Sequence, residues 1–136
     1  MKKIMLVLLL LAAHLNLTAI VPLQPGGSPP PWWVGGMLFW PFDMATRTLV
    51  RGDLLGTVTP ILAISSAILF LMAVAALLPR FVPESWFRPL TVVGVLLSFV
   101  LQIIWLSGWA IFPLLVNIAL LWMVFGQHVT VRSVRV

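Results

Sequence analysis

The sequence has no cysteine and no tyrosine, and only three carboxylates among its 136 residues. Without cysteine there is no disulfide, no thiolate metal site and no cysteine nucleophile. The three acids, Asp43, Asp53 and Glu84, all fall outside the long apolar runs. No helix therefore carries an embedded acid of the kind a proton-coupled transporter keeps. Charge of either sign is scarce, 8% of residues against about 25% in soluble domains. A chain this poor in charge cannot clothe a water-facing surface, so a lipid bilayer is its expected solvent. The eight cations are scattered, and no basic run interleaves with aromatics, which argues against a nucleic-acid partner. No two histidines are spaced as metal ligands, and no glycine-rich phosphate loop follows a strand. No enzyme, metal or cofactor is expected.

What is present is hydrophobic: 62% of residues and a mean hydropathy of +1.16. Four apolar runs are each close to the length of a membrane span, about 20 residues. They cover 4–21, 60–78, 89–106 and 109–125. The expectation is an all-α membrane protein: one domain, an antiparallel four-transmembrane-helix bundle. An outer loop covers 22–59, an inner loop 79–88 and a basic tail 126–136. The first run has the basic start and leucine-rich core of a signal peptide. It is long, however, and Leu17-Thr18-Ala19 is a poor cleavage site, so an uncleaved span is the reading. In the second run Thr59 caps a helix that Pro60 opens, and Pro79 stops it. Pro89 opens the third. There Gly94, Ser98 and Gln102 stack on one helix face, the small and polar stripe of a packed membrane helix. A tight turn at Ser107-Gly108 makes the third and fourth helices antiparallel neighbours.

The outer loop begins with a proline- and glycine-rich linker, 24–31, of polyproline character. An aromatic stretch, 32–42, is too short to span. Its Trp32, Trp33 and Trp40 are expected at the membrane interface, either as anchors or as a docking surface for a partner. In the next stretch Asp43, Arg47 and Arg51 recur every fourth residue, which predicts a short surface helix ended by Gly52. Charge sets the orientation. With four spans, Lys2, Lys3, Arg80, Arg88, Arg132 and Arg135 share one side, and only Arg47 and Arg51 lie on the other. By the positive-inside rule both termini are cytoplasmic and the long loop faces outward.

The polar residues inside the runs are few. At about 1.5 Å per residue in a core about 30 Å thick, His14 lies roughly 16 Å from the inner surface. Asn16 and Gln102 come to roughly 20 Å, Asn117 to roughly 18 Å, and Ser65 and Ser66 to roughly 21 Å. The candidate polar layer is therefore His14, Asn16, Ser65, Ser66, Gln102 and Asn117. It serves either as interhelical hydrogen bonding or as a small-molecule, quinone or proton site. His14 and Asn16 are about 200° apart on a helix, so only one of them can face a small interior pocket; His14 shares its direction with Thr18 instead.

Ala13-His14-Leu15, Gly35-Gly36 with Phe39-Trp40-Pro41-Phe42, Ser98, and Asn117-Ile118-Ala119-Leu120-Leu121 together carry a resemblance. The chain resembles small four-helix bacterial integral membrane proteins of unknown function, and is distantly similar to the DoxX-like group in size and helix count. That resemblance implies a link to quinone-dependent redox systems. The small multidrug transporters are similar in size, but their first span carries an acid where this chain has His14. The function expected is a non-enzymatic accessory or assembly subunit of the bacterial inner membrane, with a membrane-protein partner or a homo-oligomer. The alternative is a redox-accessory or apolar-ligand binding protein that holds a quinone or lipid in the polar layer.

Overall fold

The computed structural model describes residues 2–20, 47–49, 52–78, 81–106 and 110–128. They form four helices: α1 (Lys2–Thr18), α2 (Gly52–Leu77), α3 (Phe87–Ile104) and α4 (Ile111–Leu121). A single 3-10 turn, Glu84–Trp86, leads into α3, and α4 runs on into a π-helical turn, Trp122–Gly126. Two short extended pieces, β1 (Arg47–Thr48) and β2 (Trp105–Leu106), pair antiparallel.

The helix ends differ from the sequence expectation where proline was taken as a boundary. α2 starts eight residues before Pro60 and carries that proline inside. A proline here loses one backbone hydrogen bond, the one its missing N–H would make to residue 56. That residue is Gly56, and the space around it is open. Thr59 is therefore a helical residue rather than a cap. α3 begins at Phe87, so Pro89 sits in the first turn, where an N–H has no helical partner to lose. The surface helix expected over 43–51 is not found where the chain is described: Arg47 and Thr48 are extended, and Gly52 opens α2 rather than ending a helix. The β1–β2 pairing gives those backbone groups partners, and the Leu49 N–H also donates to the Ile104 carbonyl at the end of α3 (3.1 Å). A helix terminus leaves such carbonyls open otherwise. Residues 107–109 and the loop stretch holding Trp32, Trp33 and Trp40 lie outside the described residues.

α2 packs against α1 and α3, and α4 packs against α1 and α3. Two contacts set the α2–α3 register. The Trp105 indole Nε1–H donates to Thr59 Oγ1 at 2.8 Å. Eleven residues further along α2 and eleven back along α3, Phe70 lies against Gly94, where a Cβ would meet its ring at 3.0 Å. Two more set α3 against α4. Arg88 Nη2 donates to the Val124 carbonyl at 3.2 Å, and Asn117 Nδ2 donates to Ser98 Oγ at 2.7 Å. Both pairs are antiparallel. Arg88 also brings a cation to the carboxyl end of α4, where the helix dipole favours it.

Two helices, Leu54–Leu77 and Glu84–Ile104, are long and apolar enough to cross a membrane; Lys3–Thr18 and Ile111–Gly126 are apolar but shorter. All four helices turn large apolar side chains outward. Examples are Val7 and Leu11, Ile64 and Ile68, Leu96 and Val100, and Leu115 and Ile118.

Candidate functional site

The interior has two different ends. Where α2 finishes, α3 begins and α4 finishes, it is filled by Phe70, Ala73, Ala76, Leu77, Phe87, Leu90, Leu120, Met123 and Val124. The buried polar group at this end is Thr91, whose hydroxyl donates to the Phe87 carbonyl of its own helix (2.8 Å). Toward the opposite end the buried side chains turn polar: Thr59, Ser66, Ser98, Gln102 and Asn117. Alanine and phenylalanine fit the first end because close helix approach and dense packing are possible there. The second end is held by hydrogen bonds.

Those bonds are mostly local. Ser66 donates to the Ala63 carbonyl (3.0 Å), and Thr18 to the Leu15 carbonyl (2.7 Å). Asn16, on the buried face of α1, donates through Nδ2 to the Ala12 carbonyl at 2.7 Å. A carbonyl can only accept, so this contact fixes which atom of the Asn16 amide is the nitrogen. At this end, among the described residues, the side-chain bonds that join one element to another are Asn117 to Ser98 and Trp105 to Thr59.

Among the described residues, three buried amide atoms have no partner: Asn16 Oδ1, Asn117 Oδ1 and Gln102 Nε2. Gln102 stands one helical turn beyond Ser98, the acceptor of Asn117. Leaving a buried polar atom unpaired costs about 1–3 kcal/mol. A set that includes both acceptors and a donor is matched by a ligand group that can both give and accept a hydrogen bond, such as a hydroxyl or a water.

Of the six residues expected in one polar layer, Asn16, Ser66, Gln102 and Asn117 are buried and Ser65 is half-buried. His14 is exposed, so it is not part of the interior set. Its expected companion Thr18 is buried, so the two do not share a direction. The cause is the α1 stripe: Met5, Leu9, Ala12 and Asn16 face inward, and His14 stands about 200° from Asn16. Sequence reasoning missed the Trp105–Thr59 bond. The signal for it was an indole N–H at the end of an apolar run, which needs an acceptor when buried. Among the described residues no three His, Cys, Asp or Glu side chains cluster as a metal site. No protein-family model, curated protein or solved structure matches the chain.

Proposed function

We propose that the chain is a multi-pass protein of the bacterial cytoplasmic membrane, an antiparallel bundle of four spans with both termini inside. It acts as an accessory or assembly subunit rather than as an enzyme. The observation that carries the membrane reading is the inverted distribution of side chains. Amides and hydroxyls are buried, while leucine, isoleucine and valine cover the outward faces of all four helices. Water would penalise that surface, and hydrocarbon would not. α1 and the α4 unit measure about 25 Å along their axes, short of the roughly 30 Å hydrocarbon core, and local thinning accommodates such a difference. The accessory role is supported by the two interior side-chain bonds that join one element to another, Asn117 to Ser98 and Trp105 to Thr59. The test is extraction and topology. The chain should stay in the membrane fraction at alkaline pH, and a reporter fused after Val136 should be active in the cytoplasm. Release into the soluble fraction would refute the reading.

A second reading has its own support, the three orphaned amide atoms. On it, the polar end binds the headgroup of an apolar ligand, in line with the redox-accessory role implied by the DoxX-like resemblance. A quinone offers only acceptors and so answers Gln102 Nε2 alone, whereas a quinol hydroxyl can also donate to an amide oxygen such as Asn117 Oδ1 or Asn16 Oδ1. Purification in mild detergent followed by lipid extraction tests it. Retained quinol or lipid, lost in Gln102→Leu, supports ligand binding; the same lipid profile in both proteins counts against it.

A further inference from the structure

His14 is an exposed polar side chain on the otherwise apolar outward face of α1. It lies on α1 between Leu10, Leu11 and Leu17, all exposed, and none of the described residues forms a hydrogen bond to it. Counted from Lys3, it is roughly 16 Å along the helix, near the middle of a hydrocarbon core about 30 Å thick. An imidazole is too short to reach either interface from there, and an unpaired polar group in hydrocarbon is costly.

Its neighbours supply the second observation. Val7, Leu10, His14 and Leu17 follow the three-four spacing of a heptad seam. A β-branched residue at the first position with leucine at the fourth favours a pair of parallel helices, and one polar residue in such a seam fixes register and oligomeric state. The outward stripe of α3, Val93, Leu96, Val100 and Ile103, has the same spacing without a polar member; that of α2, Ile61, Ile64, Ile68 and Leu71, follows the exposed Thr57, whose hydroxyl is of the kind that bonds back to its own helix backbone.

We propose that α1 is a homodimer interface, with His14 of one copy hydrogen-bonded to His14 of a second across a two-fold axis along the membrane normal. A symmetric dimer sets the same patch against itself. A neutral imidazole has one donor and one acceptor nitrogen, so two identical copies complement each other where a carboxylate or an ammonium would not. The inference rests on the membrane reading and not on the ligand reading.

The chain's lack of cysteine makes the test clean, since each introduced cysteine is the sole thiol. The full chain is expressed in membranes with Leu10→Cys or Leu17→Cys on the α1 stripe, and with Ile64→Cys or Val100→Cys as controls. Mild oxidation should give disulfide-linked dimers from the two α1 variants and monomers from the controls. Adding His14→Leu should lower the crosslinked yield about ten-fold, the scale of one interhelical hydrogen bond. His14→Asn, which also donates and accepts, should restore it. His14→Leu changes an outward-facing residue, and membrane levels of each variant are read alongside to show that it inserts. No dimer from the α1 variants, equal crosslinking from the controls, or a yield that His14→Leu leaves unchanged would each overturn the proposal. A single copy found bound to a different protein through α1 would overturn it as well.

Discussion

Two amides and a histidine show how much a single side chain's direction decides. Asn16 is fully buried and pinned to the Ala12 carbonyl, while His14, two residues earlier, faces out. Gln102 is 5% exposed and its amide nitrogen is unpaired. The unpaired donor sets the sign expected for Gln102→Leu. Leucine there should stabilise the ligand-free protein by about 1 kcal/mol, measured by denaturant unfolding in detergent. Asn117 behaves oppositely, because it bonds Ser98. A double-mutant cycle of Asn117→Leu and Ser98→Ala should return a coupling of about 0.6–2 kcal/mol; a value near zero would remove this bond from the account. At this scale the sequence showed which residues are polar, and four of the six chosen, Asn16, Ser66, Gln102 and Asn117, are buried. It left open which of His14 and Asn16 turns inward, because α1 is apolar on every side and no polar face marks the outside.

Helices were legible as apolar runs, and their ends were not. Prolines at 60 and 89 were taken as first residues, yet each sits inside a helix where little backbone bonding is lost. The short helix over 43–51 rested on a charge spacing worth only some tenths of a kcal/mol, too weak to hold against the β1–β2 pairing. The glycine stripe of α3 was read correctly as a packing face. Gly94 lets α3 approach Phe70, so Gly94→Leu should overpack the α2–α3 contact and cost about 1–3 kcal/mol. Gly56 gives the contrast. It is exposed and a Cβ there meets nothing within 4 Å, so Gly56→Ala should raise stability by up to about 1 kcal/mol through helix propensity alone. Thermal unfolding of the two variants checks both signs together.

At the scale of the whole molecule, the described residues are helical apart from the short β1–β2 pairing, with apolar residues outside as well as inside and the buried polar groups gathered toward one end. Composition alone carried the expectation of a lipid solvent, because 8% charge leaves no other surface available. The pairing of Arg88 with Val124 and of Trp105 with Thr59 was beyond reach of the sequence, since both depend on register between helices. The proposed topology has all four helices crossing the membrane with both termini inside. Because the chain has no cysteine, single thiols report on it directly. Leu49 and Phe81 are strongly exposed and Gln127 is exposed. A membrane-impermeant maleimide applied to intact cells is predicted to label Leu49→Cys. It should label Phe81→Cys, Gln127→Cys and a cysteine inserted between Met1 and Lys2 only after the cells are opened. Labelling of any of the last three in intact cells, or protection of Leu49→Cys, would contradict the account.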